Sequence, residues 1–120
     1  MAETSPKSDN LETILPLSAA VFSILLALAG GERHGYAIMK EVSLADGGAL
    51  SMGPGTLYGS LDRMMQRGLV EETGQTDDQR RRYYRLTDLG RRILSAETSR
   101  LHRAITSARR RGVLTNGGNA

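Results

Sequence analysis

Two groups of residues in this chain have the types and spacing to hydrogen-bond an anionic polymer. One is the run Arg80, Arg81 and Arg82; the other is the set Gly55, Thr56, Tyr58, Gly59, Asp62 and Arg63 within GPGTLYGSLDRMMQRGLV, residues 53–70. A guanidinium fork matches phosphate oxygens or a guanine edge, and a carboxylate accepts from a cytosine amino group. The free N–H groups of a first helical turn, with a threonine among them, suit a phosphate oxygen. Arg63 is the expected reader of guanine, Asp62 an acceptor for cytosine, and Thr56 a phosphate ligand.

These residues need a helix and a strand to present them. Leu57, Leu61, Met64 and Met65 recur at i, i+4, i+7 and i+8, the inward stripe of an amphipathic helix. Gly55, Tyr58, Gly59, Asp62, Arg63 and Gln66 then share the outward face, smooth at one end and polar. Glycine inside a helix costs about 1 kcal/mol relative to alanine. Two causes fit Gly59: close approach to a nucleic-acid groove, or close packing on another helix. Tyr58 fits phosphate contact or a half-buried aromatic. The three arginines fit backbone contact or a solvated run, and Asp77 and Asp78 argue against deep insertion of the loop beside them. Arg109, Arg110 and Arg111 end a helix, where they complement its dipole.

Catalysis has no equipment here. The two histidines, His34 and His102, are far apart in sequence, and no nucleophile, paired acid or phosphate-cradling loop accompanies them. His34 reads as a helix-entry residue. Cysteine is absent, which removes disulfides and thiolate-bound metals and favours an intracellular setting. No enzyme activity, metal or cofactor is expected, and the compartment is read as cytoplasmic.

The 120 residues suit one domain. The net charge of +3 hides an uneven distribution: residues 1–79 hold 5 basic and 11 acidic side chains, whereas 80–120 hold 11 arginines against Asp88 and Glu97. The basic half points to a polyanion. The apolar run LSAAVFSILLALAGG, residues 17–31, resembles an export signal, but acidic residues precede it and it is shorter than the roughly 20 residues of a membrane span. It reads as a buried helix, capped by Ser18 and stopped by Gly30 and Gly31, and no membrane association is expected.

The remaining elements follow in order. HGYAIMKEVSLADGG gives a second helix with Ile38, Met39 and Val42 inward, ending at Gly47 and Gly48. The third is the reading helix, with Pro54 in its first turn and Gly53 or Ser51 as cap. LVEETG and RRRYYRLT form a hairpin around QTDDQ, with Leu69, Tyr84 and Leu86 turned inward. Thr87 and Asp88 begin a last helix, apolar at Leu89, Ile93, Leu94, Leu101, Ala104, Ile105 and Ala108 and long enough to reach Arg111. The fold expected is mainly α (α+β), a winged helix-turn-helix with a two-stranded wing and a long C-terminal dimerisation helix. Its parts are a flexible segment over 1–16, the DNA-binding unit over 17–88, the dimerisation helix over 89–111 and a disordered tail over 112–120.

HGYAIMKEV, then PGTLYGSLDRMMQRGLVEE, then RRRYYRLTDLG resembles, in that order, the PadR-like family of bacterial transcriptional regulators, over roughly residues 17–95. A single helix after the wing resembles its small subfamily. The resemblance implies double-stranded DNA as partner, with contacts from Tyr36, Thr56, Tyr58 and the arginines before YYRLT. It also implies a repressor acting as a homodimer on an inverted repeat and released by a small effector.

The residues argue for the dimer independently. The first helix is apolar nearly all round, at Val21, Phe22, Ile24, Leu25, Leu26 and Leu28, and a domain this small covers only part of it. Phe22, Leu25, Ile93, Leu101, Ala104, Ile105 and Ala108 are the expected seam. Drug-binding members of the small subfamily stack flat ligands on a tryptophan in the last helix; this chain has none. An apolar effector pocket at Ile93, Ala96 and Leu101 is expected instead. The rival reading is a winged-helix interaction module that binds an acidic protein.

Overall fold

Three of the four described helices begin where a side chain accepts from a free N–H group of the first turn. The computed structural model describes residues 14–45, 51–76 and 78–114. They form α1 (Ala19–Leu28), β1 (Arg33–His34), α2 (Gly35–Ala45), α3 (Pro54–Gln66), β2 (Val70–Thr76), β3 (Arg82–Leu86) and α4 (Asp88–Arg110). The Ser18 hydroxyl accepts from the Val21 N–H at 3.2 Å, and the Thr87 hydroxyl accepts from the Gly90 N–H at 2.9 Å. His34 does the same for α2: its Nδ1 accepts from the Ala37 N–H at 3.2 Å, which fits the helix-entry role read from the sequence. α3 has Pro54 in its first turn after Gly53, which offers no side-chain cap.

The strands form one antiparallel sheet in the order β1-β3-β2. β2 and β3 are the wing expected from the two-residue alternation. β1 is an addition, pairing Arg33 with Tyr84 and His34 with Tyr83. Two residues are too few to show an alternation, so the sequence carries no sign of it. β2 also runs further than expected, through Gln75 and Thr76, and its register shifts between Glu72 and Thr76. Gly74 sits in that irregularity at φ 84°, a left-handed conformation that glycine adopts without steric cost.

The core draws on every helix and the sheet. Ile24, Leu25 and Leu28 of α1 meet Ile38 and Val42 of α2, Leu57 and Leu61 of α3, Tyr84 of β3 and Ile93 of α4. Each such aliphatic side chain contributes about 1.5–3 kcal/mol through burial. Ile14 is buried in the same cluster, so packed structure extends into the segment expected to be flexible up to residue 16. Leu69 is buried as expected, although it precedes β2. Residues 1–13 and 115–120, the α2 end at Gly47 and Gly48, and Asp77 lie outside the described residues.

Three features fix α4 on this body. Gly90 passes so close to the preceding turn that a Cβ there would collide with the Leu69 carbonyl group, whose carbon would lie 2.9 Å away. Thr87, the one residue between β3 and α4, donates its hydroxyl to the Gly68 carbonyl and its N–H to the Leu69 carbonyl. Further along, Glu97 is a carboxylate within the otherwise apolar side, only 1% exposed. It accepts from Arg100 Nε and Nη2 at 2.8 and 2.7 Å and from the Leu17 N–H at 3.3 Å, tying the approach to α1 onto α4. The Arg100 hydrogen bonds hold its pKa below the usual carboxylate value; burial opposes this and the Leu17 N–H assists. No helix among the described residues is long and apolar enough to cross a membrane.

Candidate nucleic-acid interface

α3 turns Leu57, Ser60, Leu61 and Met64 inward, which leaves Gly55, Thr56, Tyr58, Asp62 and Arg63 exposed on the other side with Gly59 between them. A Cβ at Gly55 would meet nothing within 4 Å, and one at Gly59 would meet only Arg63 Nη1, at 3.7 Å. Of the two causes open for Gly59, packing against another helix therefore has no counterpart among the described residues. Arg63 folds back along the helix and donates from Nη2 to the Ser60 hydroxyl at 3.3 Å. With no side chain on Gly53 to cap it, the first turn of α3 keeps donors available to an anion.

Tyr58 is half-exposed, and its ring lies over Gly35, where a Cβ would sit 2.6 Å from Cζ. The HGY element thus has three separate tasks: His34 caps α2, Gly35 admits the Tyr58 ring, and Tyr36 is presented at the surface. His34 is stacked near Tyr36 with ring centroids 6.4 Å apart and meets Tyr83 edge-on at 5.3 Å. Lys40 lies one turn beyond, its Nζ 5.8 Å from the Tyr36 ring centroid. It adds a cation beside Tyr36 that the sequence reading passes over, although the i, i+4 spacing is available as a signal.

The wing joins this surface. A cleft of about 380 Å³ is lined by Tyr58, Arg80, Arg81, Arg82 and Tyr84, so the reading helix and the three arginines share one concavity. The arginines are not equivalent. Arg82 Nε lies 3.5 Å from a Glu72 carboxylate oxygen, just as Arg85 pairs with Glu71 at 2.8 Å. Arg80 holds a left-handed backbone, φ 61°, which a non-glycine residue adopts at a cost. Tyr84 at the cleft floor has its phenol pKa raised, chiefly by burial and then by the Glu72 carboxylate, so it stays neutral.

The expected dimer seam divides. Leu25 and Ile93 are 0% exposed within their own chain, so they have no surface to offer a second copy. Both belong to the core cluster that α1 and α4 share with the other elements. Phe22, Leu101 and Ala108 are half-buried, Ala104 is exposed, Ile105 is 43% exposed, and Leu26 of α1 is 49% exposed. The expected effector pocket also changes composition. A cleft of about 430 Å³ between α1 and α4 is lined by Leu17, Phe22, Leu26 and Leu101, and by the Glu97 and Arg100 ion pair rather than by Ile93 and Ala96. His34 and His102 stand on separate elements.

Relatives place this architecture. The chain is 41% identical over 83 residues to the uncharacterized 37.1 kDa protein in transposon TN4556 of Streptomyces fradiae, an alignment covering 67% of this chain and 22% of that protein. It thus spans about a fifth of that relative's length. RosR of H. salinarum superposes with TM-score 0.61 at 30% identity, covering 78% of this chain and 79% of that one. A PadR family transcription regulator of Clostridium difficile R20291 superposes with TM-score 0.65 at 23% identity, over 80% and 99%, a likeness of fold. The profile of the transcriptional regulator PadR-like family matches residues 24–96, the span that contains the HGY element, the reading helix, the wing and the start of α4, and the chain belongs to that family of DNA-binding transcriptional regulators.

Proposed function

We propose that the chain is a cytoplasmic, homodimeric repressor that places α3 of each protomer in the major groove of an inverted-repeat operator, with the wing arginines on the flanking backbone. The observation that carries the reading is the bare stretch of α3 at Gly55 and Gly59, approached among the described residues only by the tip of Arg63, with the cleft of Arg80, Arg81 and Arg82 alongside. An α-helix enters a major groove only if its contact face admits close approach, and guanidinium groups at its edge neutralise phosphates. Thr56 and the first turn of α3 hold a phosphate, Tyr36 and Tyr58 contact the backbone, and Asp62 and Arg63 reach base edges. Occupancy of the operator is enough to block transcription.

Dimerisation is supported by the apolar surface at Phe22, Leu26, Leu101 and Ile105 on two adjacent helices. Two reading helices must stand about 34 Å apart to enter successive major grooves, so half-sites are centred about one helical turn apart. An effector with an apolar body enters the cleft between α1 and α4, where Arg100 and Glu97 add a polar edge. Selection of bound sequences from random duplexes, combined with sedimentation of the free protein, tests the reading. An inverted repeat bound by a dimer supports it. Binding without sequence preference, or a monomer with full affinity, overturns it.

A further inference from the structure

The outward face of α4 carries charge that neither groove reading nor dimerisation uses. Arg91 and Arg92, Arg103, and Arg109 and Arg110 are exposed along the helix, and none pairs with a carboxylate among the described residues. At 3.6 residues per turn the pairs 91–92, 102–103 and 109–110 are about three and about two turns apart, so they return to one side of the helix over about 27 Å. Arg92, Arg103 and Arg110 lie opposite the stripe of Leu101, Ala104, Ile105 and Ala108, while Arg91 and Arg109 stand at its flank. After Asp88 in the first turn, the only acid in α4 is Glu97, which is buried on the inner side and held by Arg100. A merely solvated helix face carries both signs, because i, i+4 ion pairs stabilise it and like charges oppose it. From Arg91 to Arg110 this face has one sign; Asp88, one turn before Arg92 on the same side, stands at its N-terminal end and forms no ion pair with it among the described residues.

We propose that the outward face of α4 is a second phosphate-binding surface, which holds the backbone of a duplex other than the one read by α3. The separation of the two surfaces supports a second duplex. α3 packs on α2 and β2 while α4 packs on α1 and β3, and no α4 residue lines the cleft formed by Tyr58 and the wing arginines. The chemistry of the face selects double-stranded backbone among polyanions. Ser95 and Ser99 stand exposed between the arginines as hydroxyl donors to phosphate oxygens. His102 is the one ring among them, too few to stack successive unpaired bases, and no apolar side chain stands on this face to enter a lipid surface. Since the face points away from the apolar stripe, it stays open when that stripe is covered by a second copy, so the inference holds with or without the dimer.

The test uses the full chain with Arg92, Arg103 and Arg110 replaced by glutamine together, and a charge-preserving control with lysine at the same positions. On duplex of scrambled sequence, the slope of log affinity against log salt is expected to fall by about 2.7 in the glutamine variant, about 0.9 for each phosphate no longer neutralised, and to be kept by the lysine variant. In the second readout, protein saturating an immobilised duplex selected from random DNA is offered a labelled scrambled duplex. The wild type captures it and the glutamine variant captures at least tenfold less, while affinity for the selected duplex changes less than threefold. An unchanged slope, equal capture by wild type and glutamine variant, or capture of phosphatidylglycerol vesicles in place of duplex overturns the proposal. Failure to select any sequence, with the slope difference intact, would remove the groove-reading role of α3 and leave the α4 surface standing.

Discussion

The ring of Tyr58 on the reading helix occupies the space that a Cβ of Gly35 would need at the start of α2, so the side chain of one helix is positioned by the missing side chain of another. In Gly35→Ala the ring must swing outward. Because the obstructing atoms belong to the far end of a half-exposed side chain, the cost to folding is expected at about 1 kcal/mol or less. Affinity for a selected duplex falls about tenfold, equivalent to about 1.4 kcal/mol. In a double-mutant cycle, Gly35→Ala adds no further loss once Tyr58→Ala is present. Full additivity of the two losses would mean that Gly35 acts by another route.

Gly59→Leu tests groove approach. A Cβ here meets only the tip of Arg63, and leucine favours a helix by somewhat under 1 kcal/mol over glycine. The variant is expected to melt no lower than the wild type and to lose binding to its selected duplex. A lowered melting temperature would point to packing that involves Gly59.

Gly90 presents the opposite case, since the atoms in the way are the Leu69 backbone rather than a mobile side-chain end. Gly90→Ala forces α4 away from the wing and is expected to cost about 3 kcal/mol, at the upper end for overpacking. Thermal unfolding measures it. A change below about 0.5 kcal/mol, within the range of ordinary surface substitutions, would show that the helix shifts freely.

Glu97→Gln carries a pH signature. Its folded-state pKa lies below the usual carboxylate value, so the stabilisation from its ionised form is present above that value and is lost as pH falls through the folded pKa. The variant is expected to be less stable by about 1–3 kcal/mol at neutral pH, the scale of a hydrogen bond to a charged group, with the difference closing in acid. Denaturant midpoints compared across acidic and neutral pH read it directly. A gap that persists unchanged in acid would assign the effect to packing.

Arg80→Gly separates strain from contact. Glycine relieves the left-handed backbone by about 1 kcal/mol while removing the guanidinium. The melting temperature is expected to hold or rise, and the salt slope of duplex binding to fall by about 0.9. An unchanged slope would make Arg80 a spectator of binding.

Much of the architecture is legible in the sequence because long elements repeat their pattern. The stripe from Leu57 to Met65, the caps Ser18 and Thr87, and the alternation through Tyr84 and Leu86 each state a local rule that the fold obeys. What escapes reading depends on contacts between residues distant in sequence. Gly90 looks like a weak point of a helix until the Leu69 carbonyl is seen beside it, and Gly35 looks like a turn residue until Tyr58 covers it. Glu97 sits among apolar neighbours with nothing to announce that Leu17, far earlier in the chain, donates to it. The expected seam fails at Leu25 and Ile93 for the same reason, since periodicity marks an apolar side without saying which partner covers it. The bare face at Gly55 and Gly59 is recoverable because a gap in side-chain bulk is itself written in the sequence.

The single residue between β3 and α4 makes the wing the short arm of a lever. Thr87 is pinned to Gly68 and Leu69, and Gly90 is pressed on the same turn, so α4 has little freedom to turn independently of β3. A tilt of about 10° in the long helix, acting through five residues of strand at about 3.3 Å each, carries Arg82 about 3 Å sideways. That displacement equals the length of a hydrogen bond to a phosphate oxygen, so on the proposed reading a ligand wedged beside Glu97 and Arg100 would loosen the wing arginines without touching them.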